Sequence, residues 1–421
     1  MTSPAAPWLT RADLRSAALL VALSLCLQIA IAVQVTRATA MPLSWLAAFF
    51  DGYLYLDIAR SFPLPFSPEG RDYLGQAPGY PALIYLARQL TPLDPVNWGA
   101  LALATSWLSA ALCAGAFHLV CRAAGIAPFW PSVAFVVANP RWLSVAATAH
   151  PEGLAMLFVL LTAAAQLRGR TGWAVLWLSL AGLTRFPALL IGAALAFDLL
   201  FVQRRRDRRT LALLSLPLLA FAAHNLYLFL RIPGYAGMGE AHSVFWDTHL
   251  TWPFAALLEN ALAWLRGTAP GPNFALTYAS VTFYVVALAL GLREREPRLR
   301  FLVVWVGAIV LFHVSLAGEW GGFDFARLAI LAWPAALLLV WRRVRFSAPP
   351  AAAAAGWAVA GALSAAITVN LLADAVRWQR ASYPWPVISI RRLEAEQPFW
   401  FDFGARYRSP GARGAPGEAS P

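Results

Sequence analysis

The chain contains no lysine, and charged residues of all kinds fill only 13% of its 421 positions. A soluble domain carries about 25%, so the usual means of solvating a surface is halved and a soluble domain of ordinary size is excluded. Cysteine is scarce too. Cys26, Cys113 and Cys121 all lie inside apolar runs without metal-ligand spacing, which suits small buried side chains and argues against a disulfide framework or a zinc site. No internal repeat, direct or inverted, is discernible. All 33 basic residues are therefore arginine, and the net charge is +12. In a soluble protein that balance suggests nucleic acid. Here the arginines bunch between apolar runs, at 203–209, 293–300 and 342–345, a pattern that fixes membrane topology and excludes a nucleic-acid partner.

What fills the chain instead is apolar: 60% of residues are hydrophobic. The bilayer is then the solvent, and every backbone polar group must be satisfied inside a helix. The expected fold class is all-α, a polytopic transmembrane bundle of about 11 spans, at 16–36, 98–121, 128–147, 151–167, 172–184, 186–202, 210–230, 274–292, 301–317, 325–341 and 351–374. The first apolar stretch is longer than a signal-peptide core, so it is read as a retained span rather than a cleaved leader. Proline at Thr184-Arg185-Phe186-Pro187 divides 172–202 into two short helices. Counting from the basic cluster at 203–209 puts residues 37–96 and 231–273 outside, as two long extracytoplasmic loops. The transmembrane domain covers 1–376. A partly disordered tail, 377–421, is external by the count, although its arginines suit the cytoplasm.

Candidate chemistry gathers at the outer ends of these spans. In the first outer loop Asp51 heads a short helix over 50–60, either as an N-cap or as a general base toward a hydroxyl. Asp57 lies about 240° further round that helix, where it shares a face with Tyr53 and Arg60. A second short helix follows over 78–90. His150 and Glu152 open an inward span, where an acid either favours the helix start or lines an acceptor site. Arg141, Arg185 and Arg327 stand at outer span ends, suited to phosphate by their planar forks or to snorkelling toward lipid headgroups. Asp324 and Arg327 are spaced to pair. His242, Asp247 and His249 form no recognised metal motif, and His118, His224 and His313 read as hydrogen-bonded core residues.

The order of segments resembles the GT-C superfamily of polytopic glycosyltransferases, nearest its protein mannosyltransferase-like, RgtA/B/C/D-like and PIG-V-like branches. The likeness rests on Phe50-Asp51-Gly52-Tyr53-Leu54-Tyr55-Leu56-Asp57-Ile58-Ala59-Arg60 after the first span, then Pro78-Gly79-Tyr80-Pro81, Asn139-Pro140-Arg141-Trp142, His150-Pro151-Glu152-Gly153 and Leu183-Thr184-Arg185-Phe186-Pro187. It covers roughly residues 16–202. The resemblance implies an inverting hexosyl transfer from a polyprenyl-phosphate donor to an acceptor hydroxyl on a glycan, lipid or protein, at the outer face of the cell (inner) membrane. Asp51 would be the base, with Asp57, His150 and Glu152 as further acid, base or acceptor-site residues. Arg141, Arg185 and Arg327 would hold the donor phosphate, and Tyr53 and Tyr80 would stack on sugar. Many members carry two adjacent acids in this loop, whereas Gly52 follows Asp51 here, so a divalent metal is a possible cofactor without an assigned ligand set. Two rival classes are a lipid or small-molecule transporter and a non-catalytic subunit of an envelope-assembly complex.

Overall fold

The computed structural model describes residues 10–49, 51–62, 76–91, 98–231, 235, 237–239, 248–267, 274–317, 324–343 and 350–382. Its helices, in chain order, are α1 (Arg11–Thr39), α2 (Ser44–Ala47), α3 (Gly52–Ser61), α4 (Gly79–Leu90), α5 (Trp98–Ala123), α6 (Phe129–Val137), α7 (Pro140–Ala147), α8 (Glu152–Leu167) and α9 (Thr171–Thr184). Then come α10 (Ile191–Phe197), α11 (Arg208–Arg231), α12 (Ala255–Leu265), α13 (Phe274–Gly291), α14 (Arg300–Val314), α15 (Phe325–Leu328), α16 (Trp333–Trp341) and α17 (Pro350–Ser382). Two two-residue strands, β1 (His249–Leu250) and β2 (Leu316–Ala317), pair antiparallel with His249 opposite Ala317. The chain is a multi-pass, all-α membrane protein.

Among the described residues, six helices are long and apolar enough to cross a bilayer: α1, α5, α11, α13, the segment Pro297–Val314 and α17 over Pro350–Arg377. The pair α7 and α8 would make a seventh, but bends by 116°. The other expected spans are present as shorter apolar helices, at Thr171–Thr184, Phe186–Val202 and Phe325–Trp341, so length alone supports fewer crossings than eleven. The expected continuous span 128–147 is divided. Asn139 accepts hydrogen bonds from the backbone of Arg141 and Trp142 at 2.9 and 3.1 Å, and Pro140 occupies the first position of α7, where its missing N–H costs nothing. The break at Arg185 falls where expected: α9 ends at Thr184, and Arg185 is extended (φ −147°, ψ 118°) before a 3₁₀ turn over Phe186–Leu190. Residues 240–247 of the expected second outer loop, with His242 and Asp247, and the tail beyond 382 lie outside the described residues.

Lipid tails are as apolar as leucine, so helices in a bilayer associate through close packing rather than through apolar burial. The core reflects this. It is rich in fully buried alanine, including Ala110, Ala114, Ala134, Ala155, Ala163, Ala174 and Ala181. α5 packs between α1 and α8, and α8 in turn against α9. Gly153 sets the approach of α8 to α5, since a Cβ there would stand 3.1 Å from the Ala110 methyl and 3.2 Å from its backbone nitrogen.

The two ends of the bundle differ. At one, arginine-rich turns are tied by ion pairs: Arg122 to Asp13 at 3.3 Å, and Arg342 to Glu294 and Glu296 at 3.2 Å each. Chain direction places the start of α8, the end of α9 and the start of α15 at the opposite end. There α3 and α4, the two short helices expected over 50–60 and 78–90, and α2, which was not expected, lie on a second apolar cluster. Trp45, Phe49, Tyr55, Leu56, Tyr80 and Ile84 meet Ala102, Leu103, Leu143, Leu154, Leu372 and Val376.

Two glycines clamp this layer down. A Cβ on Gly52 would lie 2.3 Å from the carbonyl oxygen of Ala47 and 3.3 Å from that of Ala149; one on Gly79 would lie 2.7 Å from the Thr184 hydroxyl and 2.9 Å from the Leu183 carbonyl oxygen. Backbone cannot yield as a flexible side chain does, so overpacking of this kind costs about 1–3 kcal/mol. Gly52→Ala is expected to lower the melting temperature of the purified protein accordingly. Gly172→Ala, where a Cβ meets nothing within 4 Å, is expected to leave it unchanged or slightly raised. Equal melting of the two variants would show that the layer is not clamped at Gly52.

Candidate active site

Asp51 occupies the N-cap position of α3, yet its side chain makes no capping hydrogen bond. The carboxylate turns instead to Arg327, whose Nη2 donates to Asp51 Oδ2 at 2.8 Å across 276 residues of sequence. The bland reading of this aspartate, as a helix cap, is therefore not what the structure shows. Gly52 makes the geometry possible, because only a residue without a side chain lets the head of α3 rest on the Ala149 carbonyl immediately before His150 and Glu152.

Glu152 is the centre of the arrangement and is wholly buried. Its Oε1 accepts from Arg327 Nε at 2.7 Å and also from Arg185. Arg327 Nη1 stands 3.6 Å from Asp324 Oδ2, and Arg141 binds the other Asp324 oxygen. Three carboxylates (Asp51, Glu152, Asp324) thus face three guanidiniums (Arg141, Arg185, Arg327), and the cluster is neutral by count. Isolated charges buried in a bilayer or a protein core are costly, and pairing with further hydrogen bonds is what makes such a group tolerable. Side-chain exposure differs sharply within it: none for Glu152, about a tenth for Arg141, Asp324 and Arg327, and 30% for Asp51. Asp51 is the acid that solvent, or a ligand, can reach.

Local sequence explains the convergence. The membrane-helix members stand where a helix is interrupted: Arg141 follows Asn139-Pro140, Glu152 follows Pro151, Arg185 precedes Pro187, Asp324 is the N-cap of the short α15 and Arg327 lies within it. The turn between α7 and α8 is fixed by Ser106 of α5, whose hydroxyl donates to the carbonyls of Thr148 at 2.7 Å and His150 at 3.2 Å. On the α3 side, Tyr55 is buried and donates to Gln76 Oε1 at 2.5 Å. Burial holds its phenol protonated, far above the usual tyrosine range.

Other candidates fare differently. Tyr80 is not a stacking platform. It is fully buried, donates its hydroxyl to the Ala102 carbonyl at 2.9 Å and presents its ring edge-on to Tyr55, 5.5 Å between centroids. An amphipathic tyrosine at a membrane surface is as readily a core residue as an exposed one, and packing decides. Tyr53 is half-buried, and Asp57 is half-buried on another face of α3 from Asp51. His313, read as a core residue, is indeed buried and donates from Nδ1 to the Ile309 carbonyl at 2.7 Å. It also feels the charge of Arg185, which places it at the margin of the cluster. The union of Arg141 with Asp324 had no signal in the sequence, since 183 positions separate them. A divalent metal does not fit this arrangement: guanidiniums already engage all three carboxylates, and among the described residues no three metal-ligating side chains are placed to hold one ion.

No protein-family model matches the chain, and no curated protein matches it. Among solved structures it is similar to the crystal structure of ArnT from Cupriavidus metallidurans in the apo state. The two share 15% identity over 87% of this chain and 76% of that one, with a TM-score of 0.43.

Removing one partner of a buried ion pair strands the others and costs about 3–5 kcal/mol. Glu152→Gln, which leaves Arg185 and Arg327 without their shared negative charge, is expected to lower the melting temperature strongly. Asp51→Asn, at the exposed edge, is expected to lower it little. Fluorescence-monitored melts of the two variants check this ordering, and the reverse order would remove Glu152 from the centre of the cluster.

Proposed function

We propose that the chain is a membrane glycosyltransferase of the GT-C type, moving a sugar from a polyprenyl-phosphate carrier to an acceptor hydroxyl. The observation that carries this reading is the position of Asp51: a carboxylate at a helix head that does not cap the helix, is partly open, and shares Arg327 with a fully buried acid. The sequence resemblance assigns the base to this same residue.

In the proposed reaction the acceptor hydroxyl gives its proton to Asp51 as its oxygen attacks the anomeric carbon. The bond from that carbon to the phosphate oxygen breaks, and the phosphate leaves with the electron pair. A single displacement of this kind inverts the anomeric centre. Arg185, Arg141 and Arg327 stabilise the charge that develops on the departing phosphate, an electrostatic contribution often worth several kcal/mol of barrier, and a guanidinium fork suits a phosphate better than a point charge does. Tyr53 is retained as a candidate sugar contact. The site lies at the end of the bundle opposite the arginine-rich turns, and the positive-inside pattern assigns that end to the extracytoplasmic side. The acceptor is a hydroxyl on a lipid, a glycan or a protein.

The 116° break between α7 and α8, with charged residues beside it, is the one observation that favours the transporter reading, because discontinuous helices line transport sites. The two readings part on covalent chemistry. In proteoliposomes holding a radiolabelled polyprenyl-phosphate sugar and a membrane lipid extract, the transferase moves label into a new covalent product, and a transporter only relocates it. Asp51→Asn is expected to lower transfer by about 10²–10⁴-fold, the usual worth of a general base, while binding polyprenyl phosphate at least as tightly as the parent because Arg327 is released. Arg185→Met is expected to weaken that binding. Transfer at the parental rate by Asp51→Asn would refute the assignment of the base.

A further inference from the structure

His150 is the one ring inside the ion-pair cluster among the described histidines. Its neighbours in charge are Arg327, Glu152, Asp51 and Arg141, and the Phe49 ring meets it edge-on at 6.4 Å between centroids. It is 2% exposed, and its Nε2 is buried with no hydrogen-bond partner. Nearby, the Oε2 of Glu152 is also buried and unpartnered. A buried polar atom left unmade costs free energy, and two bare acceptors from one turn are complementary to hydroxyl donors.

The other side of the ring fixes which proton it carries. His150 Nδ1 lies 2.6 Å from the Thr148 hydroxyl oxygen. That hydroxyl has one hydrogen, and 2.9 Å away stands the carbonyl of Ser144, in the last turn of α7, where helix carbonyls lack an intrahelical donor. With the Thr148 hydrogen directed there, Nδ1 must be the donor to Thr148, and Nε2 is left as a lone pair. The surroundings agree. Thr148, Ala149 and His150 form the turn between α7 and α8, and there burial first, and the charge of Arg327 after it, hold the imidazole neutral at physiological pH. Other described histidines have unpartnered ring nitrogens, as His118, His224 and His313 do, but none joins a fixed tautomer to a place among the charged groups of the cluster.

We propose that His150 is a substrate-reading residue, a neutral imidazole protonated at Nδ1 whose Nε2 accepts a hydrogen bond from a sugar hydroxyl. The ligand class is a polyol with a free hydroxyl. The inference rests on the transferase reading for its substrate but not for the state of the ring. No proton moves to His150 in the reaction, so its loss changes binding and positioning and leaves the pH profile in place.

The test uses the full chain in proteoliposomes with a panel of polyprenyl-phosphate-linked pentoses and hexoses and a membrane lipid extract as acceptor. His150→Phe keeps a ring and removes the acceptor; it is expected to lose about 10- to 100-fold in kcat/KM with an unaltered pH profile. His150→Gln, whose amide oxygen can accept, is expected to restore most of it. If the hydroxyl belongs to the donor sugar, slow donor hydrolysis without acceptor falls with transfer; if it belongs to the acceptor, only transfer falls. Parental kcat/KM in His150→Phe, beside an inactive Asp51→Asn, would overturn the role of His150 and leave the transferase reading standing. A parent that transfers nothing would end the transferase reading, and the second measurement then decides alone. In that measurement the histidine rings are labelled with ¹⁵N, and the His150 signals are identified by their absence from His150→Phe. A bare Nε2 with Nδ1 protonated, unchanged between about pH 5 and 8 where free histidine titrates, supports the proposal. A ring protonated at Nε2, alone or together with Nδ1, overturns it.

Discussion

One guanidinium, that of Arg327, holds together the end of the bundle opposite the arginine-rich turns. It reaches the fully buried Glu152, the partly open Asp51 and, more distantly, Asp324, so three segments far apart in sequence converge on a single side chain. In a chain with so few charges, placing six of them in one buried cluster is the most expensive local decision of the fold, because each ion must be taken out of water. The pairing imposes conditions on everything around it. Glu152 must open α8, Arg185 must follow α9, and Arg141 and Arg327 must stand beside breaks of their own. Helices that ran on through these points would carry the charges toward the middle of the bilayer. The prolines at 140, 151 and 187 prevent that, which is why the helices here are short and bent while α1, α5, α11 and α17 are long.

The layer of short helices between α1 and α5 completes the cluster rather than covering it. α3 and α4 are held to the bundle by apolar packing and by backbone contact at Gly52 and Gly79, both beside the turns that carry cluster residues. Those contacts deliver Asp51 to Arg327. The consequence is an asymmetry among the three acids: Glu152 and Asp324 are fixed by the membrane helices themselves, whereas Asp51 belongs to a separately packed layer and is held by one hydrogen bond from one arginine.

Much of this was legible in the sequence, for a physical reason. Apolar runs separated by arginine-rich turns mark helices and their direction, and among apolar residues a charged side chain away from the basic turns stands out, so Asp51, Glu152, Arg141, Arg185 and Arg327 could all be named before their contacts were known. Proline at 187 marked a break correctly. Pro140, preceded by Asn139, carries the same signal, and there the structure divides the expected span 128–147. What composition and spacing cannot supply is which partner a charge meets across the bundle. Asp324 was assigned to its near neighbour Arg327, while its firmer bond goes to Arg141, 183 positions away. Nor can they separate an exposed tyrosine from a buried one, and Tyr80 belongs to the core.

The neutrality of the cluster bears directly on what it can bind. With three acids matched to three arginines, an arriving anion finds no free positive charge and must take an arginine from a carboxylate that already holds it. Glu152 cannot yield, being buried and shared between two guanidiniums, and Asp324 is enclosed to nearly the same degree. Asp51 is the acid with both solvent access and a single partner. On the proposed transferase reading, a phosphate that competes for Arg327 would release this carboxylate, so that the arrival of the leaving group and the freeing of the proposed base would be one event. Without a phosphate, Arg327 keeps Asp51 occupied, and water reaching the site would meet a base already engaged.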